Sequence, residues 1–269
     1  MEWLRRDTPS LPDRVWNAID ETAVSMFKQT VVARRIADFD GPKGWGYVAT
    51  QLGTFKSVSG KHASAKVRLS VPEVMLLTEL RAEFSLSWSA IEIFERVGPP
   101  LESEHIEDAA REIALAEDRL VFFGDGSNPG LLTSHQSPRV ALSDWSAPGR
   151  VLTDLLSAVE KLDEIGIKGP YEAVLSPAHY YSYLRQTGEG GSYPAAKQLG
   201  IVIEKVYSSS VIDGAVLFST RGGDFLITVG GDLTVGYRAH DDTSIHLFCV
   251  ETISAQLITP KAVCIIRPD

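Results

Sequence analysis

The segment "HDDTSIH" (His240 to His246) holds the densest cluster of metal-ligand side chains in the chain. A hairpin turn there would bring His240 and His246 together across two strands, an arrangement that could hold a metal. Asp and Thr are also ordinary turn residues, and the segment reads as a solvated hairpin tip with no metal. Cys249 and Cys264 are the only cysteines. Two thiols make no Cys-based zinc site, and both lie in apolar runs, so they read as buried and reduced. The run Gly188-Glu189-Gly190-Gly191 suggests phosphate chemistry. It lacks the Gly-x-Gly-x-x-Gly spacing and a closing Lys-Ser/Thr, and reads as a surface loop. No Gly-x-Ser-x-Gly elbow and no His-Glu-x-x-His is present, and no carboxylate pair stands out among the 35 acids. Glu251 interrupts the apolar series Ile245, Leu247, Cys249, Ile253, Ala255, Leu257. A carboxylate on a buried face must find a partner, and it reads as half of a structural ion pair with an Arg. Trp88 is a core or interface aromatic, or a stacking platform for a planar ligand. With no nucleophile–base constellation in view, no catalytic residue is assigned.

The elements that must carry these residues are legible in outline. Leu11 to Val31 is expected to be a helix, with Pro12 and Asp13 in its first turn and Trp16, Ile19, Ala23, Met26 and Phe27 on one face. Thr50 to Val74 is polar and thinly hydrophobic, an extended excursion or hairpin with no core of its own. In "LRAEFSLSW", Leu80, Ala82, Phe84, Leu86 and Trp88 alternate with polar residues, which predicts a strand with one buried face. Glu102 to Phe123 is a long helix with a stripe of Ile106, Ala109, Ala110, Ile113, Ala116 and Leu120. Another helix runs from about Pro148 to Ile165, and His179 to Arg185 reads as helical. From Gly200 onward the chain reads as strands joined by tight turns: Ile201–Val206, Ala215–Thr220, Phe225–Val229, Leu233–Tyr237 and Ser244–Ile258. Helices and strands are segregated, not alternating, which argues for an α+β fold over a doubly wound sheet or barrel.

Composition narrows the function. The chain has 269 residues, 44% of them hydrophobic, enough for a real core. Its formal net charge is -9, which argues against a nucleic-acid surface. No apolar run approaches the ~20 residues a membrane helix needs, and the N-terminus lacks a signal peptide's apolar stretch, so a cytoplasmic location is expected. A long extended arm on such a chain needs a partner surface, and assembly follows.

The stretch "RGGDFLITVGGDLTVGY" (Arg221 to Tyr237), with its two Gly-Gly-Asp turns and the later "VETISAQLITP", resembles the C-terminal region of the linocin-like encapsulins. The likeness continues through "MEWLRRDTPSLPDRVWNAIDETAVSMFK", "ARRIADFDGPKGWGY", "ELRAEFSLSWSAIEIFERVG", "AEDRLVFFGD", "GIKGPYEAVLSP" and "YPAAKQL". These segments keep one order over essentially the whole chain.

The resemblance implies the fold of tailed-bacteriophage major capsid proteins. Residues 1–49, 88–135 and 226–269 would form the peripheral domain, 50–87 the extended loop and 136–225 the axial domain. It also implies a shell protein without catalysis. That protein would assemble into an icosahedral nanocompartment, most simply of sixty copies, and enclose a cargo enzyme docked by a C-terminal targeting peptide. The family's usual cargoes are ferritin-like iron-oxidising, iron-storage proteins and dye-decolourising peroxidases. Carried over residue by residue, the docking groove would use Phe27, Arg34, Asp38, Leu233 and Val235. The five-fold pore loop would be Thr187, Gly188, Glu189, Gly190, Gly191, Ser192 and Tyr193, with Glu189 giving a ring of negative charge that favours cations such as ferrous iron. Some encapsulins bind flavin against a Trp at the position held here by Ser89. On a strand, the neighbouring Trp88 would face the other way, so no flavin is expected. The alternative is a phage or prophage capsid protein without peptide docking.

Overall fold

The computed structural model describes residues 2–58, 67–98, 100–186 and 194–268. After a 3-10 turn (Glu2–Leu4), the elements follow in chain order: α1 (Asp13–Thr30), α2 (Ala33–Ile36), β1 (Asp38–Asp40), β2 (Ala49–Ser57), β3 (Ser70–Leu76), β4 (Thr78–Ser87), α3 (Trp88–Val97), α4 (Glu104–Phe123), β5 (Arg139–Ala141), α5 (Arg150–Glu164), β6 (Tyr171–Leu175), α6 (Pro177–Arg185), α7 (Ala195–Leu199), β7 (Ile203–Ser208), β8 (Ala215–Ser219), β9 (Phe225–Val229), β10 (Thr234–His240), β11 (Ser244–Leu257) and β12 (Val263–Arg267). The chain divides into two compact units. The first is Met1–Val24, Asp40–Ile113 and Thr228–Ser254; the second is Ser25–Phe39, Ala114–Ile227 and Ala255–Asp269.

In the first unit, β11 is the long central strand, antiparallel to β10 and to β4. The sheet order is β1-β9-β11-β10, with β4 on β11. The alternation predicted for β4 holds: Phe84 and Leu86 are buried, while Arg81 and Glu83 are exposed. Trp88, however, is not on this strand. Ser87 caps a helix there, its hydroxyl accepting the Ala90 N–H at 3.1 Å, and Trp88 is the first residue of α3. Serine is a strong N-cap because its oxygen satisfies an orphan helical N–H. Trp88 and Ser89 are therefore successive helical residues, which do not alternate faces as the strand expectation required.

One end of this sheet is covered by an aromatic cluster. Leu4 packs on Phe248 and Val250 with Trp45 against them. Trp3 meets Trp45 edge-on, ring centroids 4.6 Å apart, and the Arg81 guanidinium sits 3.6 Å over the Phe248 ring. Here the second Gly-Gly-Asp turn finds its reason. A Cβ on Gly231 would overlap the Trp45 ring.

β2 and β3 pair antiparallel as a two-stranded sheet of their own, the hairpin expected for this excursion. Of the residues in these two strands, only Thr50 and Met75 are buried. β4, which the sequence reading attached to the loop, pairs with β11 over its whole length.

The second unit is built on the sheet β5-β12-β8-β6-β7. All five residues of both β6 and β8 are buried. α5 packs on β5, β8 and β12 through Val151, Leu155, Ala158 and Leu162, all fully buried. Buried Asp154 anchors the loop before α5, accepting hydrogen bonds from the Ser143 N–H and hydroxyl and from Trp145 Nε1, each at 2.8 Å. Residues 226–269, expected as one peripheral block, include β12. In the structure β12 lies between β5 and β8, parallel to one and antiparallel to the other. Parallel pairing with a strand more than a hundred residues away leaves no local signal. Cys249 and Cys264 are free and buried as expected, and burial pushes both thiols up to about 12.

Candidate functional site

Of the five residues assigned to docking, Phe27, Arg34 and Asp38 belong to the second unit, and Leu233 and Val235 to the first. α2 carries Arg34. Its N-cap, Val32, has no side chain able to cap. Asp118 of α4 supplies the missing acceptor, taking the Val32 N–H at 3.0 Å and the Ala33 N–H at 2.8 Å. Next to it, Glu117 receives Arg34. Both Glu117 oxygens lie 2.9 Å from Arg34 Nε, and Oε2 lies 2.9 Å from a terminal guanidinium nitrogen. The guanidinium is also stacked on two rings, 4.6 Å from the centroid of Phe27 and 5.3 Å from that of Phe39. Phe27 is 3% exposed and Phe39 43%. The charge of Arg34 is thus matched from below by Glu117, and the exposed apolar surface beside it belongs to Phe39.

Asp38 serves the first Gly-Gly-Asp turn. Its Oδ2 accepts the Gly223 N–H at 2.6 Å, and Arg221 closes the turn on Asp224 with contacts of 2.8 and 3.0 Å. Gly222 and Gly223 have φ of 87° and 78°, the left-handed region that glycine enters without strain. A polar cavity of about 190 Å³ opens beside Asp38, lined by Arg35, Glu172, Thr220, Asp224 and Phe225 among others. Leu233 and Val235 were expected to share a strand face. Val235 is in β10 and buried, opposite Cys249. Leu233 is half-buried and lies in the bend before the strand. The pore loop, Thr187 to Tyr193, lies outside the described residues.

Glu117 and Asp118 form a carboxylate pair that no motif in the sequence marks. They are 0% and 1% exposed. The signal was present. Glu117 stands four residues after Ile113 and Asp118 four after Ala114, so both continue the buried stripe of α4. Burial pushes the Asp118 carboxyl up to about 7, with Glu117 adding to the rise, while the Ala33 and Val32 N–H groups and the Ser209 hydroxyl oppose it. The folded chain therefore keeps a proton that the unfolded chain releases near pH 4. Stability from this group is fully present below about pH 4 and is lost as pH rises through 7. Asp118→Asn keeps an oxygen for the two N–H groups and removes the charge. It is expected to raise the urea midpoint at pH 8 and leave it nearly unchanged at pH 4. Equal shifts at both pH values would contradict this account.

Glu251 is fully buried, as its interruption of an apolar face predicted. His240 and His246 do not converge. His240 Nδ1 lies 2.6 Å from the Tyr237 hydroxyl. His246 engages Ser85 and Asp241. Among the described residues no group of three His, Cys, Asp or Glu could hold a metal ion, and no helix is long and apolar enough to cross a membrane.

Residues 1–254 match the family model Linocin_M18, described as an encapsulating protein for peroxidase. The chain belongs to this family. Among its encapsulin relatives, the type 1 encapsulin shell protein of Rhodococcus erythropolis is 33% identical over 266 residues, covering 97% of each chain. Solved structures share the fold at low identity. The virus-like particle from Pyrococcus furiosus has a TM-score of 0.69 at 15% identity, covering 93% of this chain and 98% of that one. The capsid of the Myoviridae phage XM1 has a TM-score of 0.61 at 12% identity, covering 86% and 89%. This encapsulin-family chain therefore has the tailed-phage capsid fold that its sequence implied.

Proposed function

We propose that the chain is a shell subunit that closes with copies of itself, most simply sixty, into an icosahedral cytoplasmic compartment enclosing a cargo protein. The observation that carries this reading is the β2–β3 arm. A two-stranded hairpin alone is marginally stable in water, yet this one exposes apolar residues along one face. Phe55 is opposite Pro72, and Val74 and Leu76 follow on the same side at a period of two. Phe55, Val74 and Leu76 are 69%, 45% and 67% exposed. Such a face needs a partner, and in a lattice of identical subunits the partner is another copy. The family match favours a compartment shell over a phage capsid.

Cargo, a peroxidase or a ferritin-like iron-oxidising protein, would dock through a C-terminal peptide at Phe27, Arg34, Asp38, Leu233 and Val235. A short peptide with spaced apolar side chains needs apolar surface to dock on, and the exposed Phe39 beside Arg34 would supply some of it. Glu189, repeated around a five-fold axis, would draw cations inward. The subunit itself would act as scaffold and gate.

Two glutamates on the arm, Phe55→Glu with Val74→Glu, test the assembly reading. The expected result is loss of closed particles in sedimentation, with an unchanged circular dichroism spectrum, because Phe55 and Val74 are exposed and belong to neither core. Particles of normal size would overturn the role given to the arm.

A further inference from the structure

Ser85 stands opposite His246 across β4 and β11. The phase of that ladder decides what Ser85 has free. Just beyond the strand, the Trp88 N–H donates to the Thr243 carbonyl at 3.0 Å, a hydrogen-bonded pair in the same register. Bonded and non-bonded pairs alternate along antiparallel strands, so Ser85 and His246 are a non-bonded pair. Their side chains are close, and the Ser85 backbone N–H points to the outer edge of β4. Among the described strands, β4 pairs only with β11.

The Ser85 hydroxyl lies 2.7 Å from His246 Nδ1, and His246 Nε2 lies 3.1 Å from Asp241 Oδ2. The other oxygen of Asp241 accepts the Thr243 and Ser244 N–H groups at 2.7 and 2.9 Å and the Thr243 hydroxyl at 2.7 Å. These donors, with His246, hold the carboxyl well below its usual range. An ionised carboxylate only accepts hydrogen bonds, so the His246 proton sits on Nε2. Nδ1 then offers its lone pair to the Ser85 O–H. His240 is engaged separately by Tyr237, and Glu83 and Arg238 on the flanking strands pair with each other. The result is a hydroxyl, an imidazole and an orienting carboxylate in line, the relation an activated nucleophile requires.

We propose that Ser85 is an acyl-acceptor nucleophile, with His246 as its base and Asp241 holding the imidazole. The electrophiles it takes are small activated esters and fluorophosphonates, because the triplet lies on a half-exposed sheet face and not in a deep pocket. In the acyl transfer, the bond from Ser85 Oγ to the acyl carbon forms and the bond from that carbon to the leaving phenolate breaks. The hydroxyl proton passes to His246 Nδ1 and leaves on the phenol; with a fluorophosphonate the Oγ–P bond forms, the P–F bond breaks, and fluoride leaves with that proton. The Ser85 backbone N–H, outside the β4–β11 ladder, is available to the developing oxyanion. One acyl group is transferred per subunit. The inference is independent of the shell reading.

The test uses purified protein expressed without any other gene, incubated with a biotinylated fluorophosphonate and mapped by mass spectrometry. The expected result is one label, on Ser85, abolished by Ser85→Ala and slowed about a hundredfold by His246→Gln, the usual contribution of a general base. Absence of label from the wild-type protein would overturn the proposal outright. So would labelling that survives Ser85→Ala, or a wild-type rate in a folded His246→Gln protein.

Discussion

Glu117→Ala is expected to destabilise the second unit by about 3–5 kcal/mol, the range for breaking a buried ion pair from one side. The Glu117 side chain is 0% exposed and that of Arg34 17%, so solvent screens the pair little. Removing the carboxylate takes away the guanidinium's buried counter-charge. Arg34→Ala should be comparably costly, because it removes the cation that both oxygens of the buried carboxylate meet. The double variant should lose less than the sum of the two, since the pair is then removed whole. Urea unfolding of the four proteins at one subunit concentration measures this coupling. Additive losses would mean that the pair does not act as a unit. In the docking role proposed above, Arg34 would meet a peptide already paired with Glu117.

Gly231→Ala is the second large effect. The added methyl must displace the Trp45 ring, and with it the edge contact to Trp3 and the packing on Phe248 and Val250. Overpacking of this kind costs typically 1–3 kcal/mol. Gly46 provides the control. It is in the same unit, and a Cβ there meets nothing within 4 Å. Gly46→Ala should stay within about 0.5 kcal/mol of the parent. Melting temperature and tryptophan fluorescence report both changes. If the two variants melt together, the glycine was not retained for the ring.

These two sites show how unevenly the sequence exposes its structure. The stripe of α4, the alternation of β4 and the buried position of Glu251 could all be read locally, because periodicity is a local property. The end of β4 could not. The alternating pattern ran on into Trp88, and the cap at Ser87 that stops it was hidden among the serines of "SLSWSA". Glu117 and Asp118 sat at legible stripe positions but were passed over, because acids are rarely fully buried unless paired, and the partners lay more than eighty residues away. The Gly-Gly-Asp turns were visible as turns. That one receives Asp38 and the other seats Trp45 depended on long-range packing. The Ser85–His246–Asp241 line matched no motif, because its order is set by strand register and not by spacing.

The central claim is that this chain closes on copies of itself. Negative-stain electron microscopy of the protein expressed alone, without any cargo gene, tests it most directly. Uniform, closed, round particles are the predicted result. A monodisperse monomer or dimer would contradict it.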